Sequence, residues 1–318
     1  MLYAFEWSII SAYYTKSTQN KEIIFMKKTI ISVLLIAVLA VGAFALVGCN
    51  KNECKIGVQQ GTTGELYVKG DADMLLPGYS NIECMSYSNA GLAVKAMEEG
   101  LVNYVIIDNE PAKQLIAQNS NIKMIDIALT TEEYAYGVDK NQPALLQSVN
   151  NIIAEIKADG TLDAIFDKYA SLEYDDDGNV IAGDEEIVGI TSAQKNASNA
   201  AGQLVVATNA AFAPYEYKKG NAFVGIDMEI AKIIATKLGL ELVIEDMEFD
   251  AVVTSVGKNN VDIAMAGLSV TATRKQVVNF SDAYYQGAYQ VLIVMKDNTE
   301  FDNCTTKADV EAILQGKK

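Results

Sequence analysis

Histidine is absent from this chain of 318 residues, which removes the commonest general base and a favoured metal ligand. Tryptophan occurs once, as Trp7, and arginine once, as Arg274. Basic residues are outnumbered, 25 Lys and Arg against 41 Asp and Glu, for a formal net charge of −16. That surface excludes nucleic acid, which demands a basic face, and a polybasic grip on anionic lipid headgroups. The 4 cysteines match no zinc spacing. What remains is apolar: 50% hydrophobic residues over this length can bury a large core, and the length suggests two lobes.

The N-terminus reads as a targeting segment. Met26-Lys27-Lys28 is a positive start, Thr29 to Val47 is uncharged and apolar, and Leu46-Val47-Gly48-Cys49 closes the run. The last four residues resemble a bacterial lipobox, which implies cleavage before Cys49 and a lipid on its sulfur. An uncleaved membrane anchor is the alternative, since about 20 apolar residues can span a bilayer. Both readings put residues 50–318 outside the cytoplasm. Residues 1–25 precede a complete signal and read as a non-native extension, and residues 26–48 as the signal peptide. Of the other cysteines, Cys54, Cys84 and Cys304 are odd in number and read as small apolar core residues.

From Lys55 onward short apolar runs alternate with helical patterns, which predicts α/β architecture with parallel strands. Strands are expected at 55–59, 82–87, 103–107, 204–208, 240–245, 261–266 and 289–295. Helices are expected at 142–157, 161–170, 226–238, 249–257 and 308–314, and Asn89 can cap another that Gly100 closes. Residues 172–202 hold an acidic turn, Asp175-Asp176-Asp177-Gly178, and a small polar stretch, and read as a linker. The turn loosely imitates a calcium loop, but Glu173 and Asp184 stand at its first and last places, so a solvated connector fits better.

Arg274 is the candidate with chemistry. A guanidinium matches a carboxylate in two parallel hydrogen bonds, which an ammonium cannot copy. Its segment, Ala266-Gly267-Leu268-Ser269-Val270-Thr271-Ala272-Thr273-Arg274, resembles the carboxylate-holding segment of type II periplasmic amino-acid-binding proteins. The likeness extends through Phe280-Ser281-Asp282-Ala283-Tyr284-Tyr285, the run from Thr208 to Tyr217, Gly225 to Ala231 and Phe249-Asp250-Ala251-Val252. Gly57 to Glu65 resembles the start of that family's second lobe.

The resemblance implies a fold of two Rossmann-like lobes joined by a two-strand hinge, and a site between them. Arg274 would clamp an α-carboxylate, helped by Ser269, the Gly267 carbonyl and Thr63. Asp108 would take the α-ammonium, and Phe212 and Phe249 would sandwich the side chain. A zwitterion leaving water needs a partner for each charge, which this set supplies. The glycines of Gly57–Gly64, Gly61 among them, would let backbone amides approach the ligand carboxylate; that loop lacks the ending of a phosphate loop. Relatives that bind basic or amide side chains often carry aspartate where this chain has Asn209, which points to a neutral polar amino acid.

The order of the parts is unusual. Segments resembling the family's C-terminal end precede those resembling its N-terminal end, as in a circular permutation. Lobe two would then be residues 51–132 plus 297–318, and lobe one residues 133–296, including the linker 172–202. The hinge strands would lie near Tyr134–Val138 and Tyr289–Met295. The expected function is an amino-acid receptor that serves an ABC permease, a monomer without cofactor or metal and not an enzyme. The alternatives are a dehydratase-like enzyme on the same fold and an amino-acid sensor domain.

Overall fold

The structure is a computed structural model, described here for residues 54–174, 180–183, 187–196 and 200–317, all within one compact unit, Glu53–Lys318. The signal segment, Cys49 and the turn Asp175–Gly178 lie outside the described residues.

Two five-stranded sheets form its frame. The first runs in the order Ile82–Tyr87, Cys54–Gln59, Tyr104–Asp108, Gln290–Met295, Ile122–Ile125. Its first three strands are parallel, while Gln290–Met295 is antiparallel to both neighbours. The second runs Glu241–Asp246, Gln203–Thr208, Ile263–Ala264, Gly137–Asp139, Val278–Phe280. Here too three strands are parallel, and Gly137–Asp139 is antiparallel to both neighbours. Each sheet therefore takes one reversed strand from chain that has come across from the other. The two crossings run side by side as an antiparallel ribbon, Glu132–Tyr134 against Tyr285–Ala288, with an irregularity between Gln286 and Ala288.

The division between sheets departs from the expected one. Gln290–Met295 lies in the first sheet, so the boundary falls before Gln290 rather than after Lys296. The physical reason is its run Val291-Leu292-Ile293-Val294, fully buried, which needs cover on both faces. The ribbon, not the segments 134–138 and 289–295, carries the chain between sheets.

Three apolar clusters fill the interior. Ile56, Val58, Ile106, Leu292 and Val294 pack with Val310 and Leu314 of the helix Lys307–Gln315 against the first sheet. Thr306 and Asp309 cap that helix reciprocally. Val205, Val243, Val252 and Val256 form a second cluster, and the largest runs through Tyr134, Tyr136, Ile153, Val206, Tyr215 and Ile230. Cys54 is buried and Cys84 and Cys304 are half-buried against the first-sheet core; all three are free thiols. Burial pushes the Cys84 thiol up to about 11, so it is inert at neutral pH.

Glycine is required where the hairpin at 211–224 meets the helix Ile226–Leu238. Gly225 has φ +126° and ψ 165°, and a Cβ there would stand 2.2 Å from the Tyr215 carbonyl oxygen. Its N–H donates to the Tyr169 hydroxyl at 2.9 Å. This junction sets Phe212 and Tyr215 against the ribbon.

Candidate functional site

The C-terminal ends of the parallel strands of both sheets face one another, which is where open α/β sheets hold ligands. Arg274 enters this seam from a short turn, Ala272–Lys275, whose Thr271 hydroxyl accepts from the Arg274 N–H at 3.2 Å. Its guanidinium donates to the Ser269 carbonyl at 2.7 Å and, across the seam, to the Gly61 carbonyl at 3.0 Å. Phe249 covers it, with Cζ 5.3 Å from the ring centroid. A guanidinium has five donors, so two bonds to carbonyls leave others for an anion. Burial works against its charge, and the carboxylates of Glu132 and Asp108 support it.

Three more contacts draw the lobes together. Gln59 Nε2 donates to Asn209 Oδ1 at 2.9 Å, and Gln60 Nε2 to Asp250 Oδ2 at 2.7 Å. The third is Glu132, at the start of the ribbon. Its Oε2 accepts from the Thr63 hydroxyl at 2.8 Å and from the Ser269 hydroxyl at 2.5 Å, one residue from either side. Its Oε1 accepts from the Thr130 hydroxyl and from Gln290 Nε2.

Asp108 ends the strand Tyr104–Asp108 and precedes the helix Asn109–Ala117, yet its side chain makes no capping bond. Instead Oδ1 accepts from the Tyr134 hydroxyl at 2.5 Å. Burial, and then the charge of Glu132, pushes its carboxyl up to about 7, against hydrogen bonds from Tyr134 and Gln290.

Gly267 holds φ +53°, and a Cβ there would stand 2.8 Å from Phe212 Cε1. Its N–H donates to the buried Asp227 at 3.0 Å. Phe212 and Ile107 line a cavity of about 340 Å³ with Ala210, Pro111 and Leu115. Arg274, Phe249 and Gly61 line another of about 200 Å³.

The structure thus gathers Arg274, Gly61, Ser269, Thr63, Phe249 and Asn209 about one seam with Asp108 beside it, and alters several expected roles. The hydroxyls of Thr63 and Ser269 donate to Glu132, so their protons are not directed at a ligand carboxylate. The Gly61 N–H donates to Glu65 Oε2 at 2.6 Å, so that amide is already engaged. A carbonyl such as that of Gly267 can only accept, which suits an ammonium rather than a carboxylate. Phe212 and Phe249 line different cavities, because Phe249 lies against Arg274 while Phe212 stacks on Tyr215 at 5.9 Å. Glu132, Gln290 and Tyr134 were missed by the motif reading. Their signal is faint: Gln290 is a polar head on an apolar strand, and Glu132 only opens the short run Glu132-Glu133-Tyr134.

The model of the bacterial extracellular solute-binding proteins, family 3, matches residues 9–171 and 204–315. The chain belongs to that family. Membership gives it the type II periplasmic fold of the solute-binding proteins. Among its relatives, the arginine-binding extracellular protein ArtP of Bacillus subtilis is 38% identical over 96 residues, 30% of this chain and 37% of that one. A probable histidine-binding protein of Campylobacter jejuni is 30% identical over 131 residues, 40% of this chain and 48% of that one. The chain spans less than half the length of these relatives. The holo arginine-binding protein of T. maritima aligns with 42% identity and a TM-score of 0.26, over 27% of this chain and 38% of that structure.

The raised Asp108 carboxyl has a pH signature. Its folded-state value, about 7, exceeds the ordinary value of about 3.9, so the folded state favours the protonated form. Its contribution to stability is full below about pH 4 and is lost as pH rises through about 7. Asp108→Asn should therefore flatten the loss of unliganded stability between about pH 5 and pH 8 in urea unfolding. An unchanged pH slope would show that Asp108 titrates as an ordinary carboxylate.

Proposed function

We propose that the protein is an extracytoplasmic receptor that captures a free amino acid and delivers it to an ABC permease. The observation that carries this reading is the pairing in one buried seam of a guanidinium, Arg274, with a carboxylate, Asp108, drawn from opposite sheets. Arg274 takes the ligand α-carboxylate and Asp108 its α-ammonium. The cavity beside Phe212 and Ile107 has room for the side chain.

The charge inventory refines the ligand class. Asp108 and Glu132 face Arg274, so once Asp108 is ionised a neutral zwitterion leaves one negative charge in excess, and uncompensated buried charge is costly. A cationic side chain balances it. Relatives named for arginine and histidine support the same choice, against the neutral ligand that Asn209 suggests. Asn209 itself is occupied, accepting from Gln59 and donating to the Met247 carbonyl at 2.7 Å.

The chain order is that of a circularly permuted family member, with residues 172–202 joining the ancestral ends. In support, Asn81 Nδ2, beside the first sheet, donates to the carbonyl of Lys317 at 2.9 Å. The helix Lys307–Gln315 also packs in the core beneath Ile106. The rival, two truncated copies completed by swapping between chains, predicts an obligate dimer; light scattering of the mature protein should instead give a monomer mass.

The binding reading is tested by a thermal-shift screen of all amino acids, in which arginine, lysine or histidine should raise the midpoint most. Arg274→Lys should keep the fold and weaken that ligand by about 1.5–3 kcal/mol in calorimetry, the worth of a charged hydrogen bond. Equal affinity in the variant would remove Arg274 from the site. The mature chain is held at the membrane by a lipid on Cys49, and Cys49→Ser should release it into the soluble fraction. Retention on membranes after that change would favour an uncleaved helix.

A further inference from the structure

Within the amino-acid reading, we propose that Glu132 is a positioning residue that makes one end of the cleft specific for an ammonium group. A carboxylate has no proton to give, so the hydroxyls that meet it must donate. Ser269 Oγ and Thr63 Oγ1 both spend their single proton on Glu132 Oε2. Each is thereby fixed as an acceptor towards anything else. Gln290 Nε2 uses one Thr63 lone pair at 2.9 Å, while both Ser269 lone pairs stay open.

The neighbours carry the same polarity. Asp108 accepts from the Tyr134 hydroxyl and, as a carboxylate, can only accept. Gln290 Oε1 is buried without a hydrogen-bond partner, although an acceptor so placed costs about 1–3 kcal/mol. Arg274 is turned to the carbonyls of Ser269 and Gly61. The Ser269 hydroxyl from one side and the Asp108 carboxylate from the other are thus both presented as acceptors, and a group with three N–H donors and a positive charge is their complement. Glu132 acts through the hydroxyls it orients and adds negative charge behind them. It holds one hydroxyl from each side of the seam, so it couples this polarity to closure.

The test compares an amino acid found by the screen with its α-hydroxy acid, in which the ammonium is replaced by a hydroxyl. The wild-type protein should prefer the amino acid strongly. Glu132→Gln presents an amide N–H₂ that can donate to one hydroxyl and release its proton towards the cleft. The preference should then fall about tenfold or more, mostly through weaker amino-acid binding, the scale of one charge-assisted hydrogen bond. Ser269→Ala, checked for native circular dichroism, gives a second reading that does not depend on Glu132→Gln folding. It should weaken the amino acid and leave the hydroxy acid nearly unchanged. A structural role alone, or hydroxyls serving the carboxylate, would weaken both ligands equally; equal losses in the two variants would overturn the assignment while leaving the receptor function intact. A wild-type protein that binds no amino acid would overturn both.

Discussion

Two strands change sheets, and the cleft depends on that exchange. Gln290–Met295 lies antiparallel in the first sheet and Gly137–Asp139 antiparallel in the second. Each is reached only by chain passing from one sheet to the other. A passage with unpaired backbone would strand buried N–H and C=O groups, so the two crossings pair with each other over Glu132–Tyr134 and Tyr285–Ala288. The ribbon is therefore the floor of the seam. Glu132 heads one crossing and Gln290 follows the other, and Tyr134 presents its hydroxyl to Asp108. The polar groups at the floor are placed there by topology.

Burying carboxylates there is costly, and the fold offsets the cost with hydroxyl and amide donors rather than with lysines. Glu132 takes Thr63, Ser269, Thr130 and Gln290; Asp108 takes Tyr134. A second acidic pair lies behind Gly267. Burial pushes Asp227 up to about 6 and Glu216 well above the carboxylate range, the latter also through the neighbouring charge of Asp227. A protonated Glu216 beside an ionised Asp227 avoids two like charges in one apolar space. Asp227 in turn holds the Gly267 N–H, which keeps the loop in its left-handed turn under the Phe212 ring. Both Glu216 oxygens are buried without a hydrogen-bond partner, so the pair is held by Asp227 alone.

Much of the frame was legible because burial on both faces writes itself as apolar runs. Ile82–Tyr87 and the helices at 161–170 and 226–238 stand where the pattern put them. The strand Ile122–Ile125, the hairpin from Ala211 to Val224 and the helix Thr63–Lys69 were not read. These pieces are short, and Thr63–Lys69 begins inside what looks like a glycine loop. Gly64 is small there for packing: a Cβ would meet Gln290 Oε1 at 2.9 Å. Arg274 was legible by rarity and motif. Glu132 was not, because its meaning lies in two hydroxyls 69 and 137 residues away in sequence. Such a contact leaves no local pattern.

One arginine in a chain of net charge −16 has a consequence for recognition. The protein's field repels anions at long range and draws cations, an influence screened beyond about 8–10 Å in physiological salt. A cationic solute is thus favoured on approach by the whole surface. A carboxylate is the exception, and one entering the seam would have to be met locally by a fixed positive charge. A lysine in Arg274's place could answer with a point charge, but it would lack the planar fork that bonds the Ser269 and Gly61 carbonyls together. The guanidinium ties the Ser269 carbonyl to the Gly61 carbonyl and has more donors than those two bonds use. Contact across the seam therefore rests on the planar geometry of one side chain.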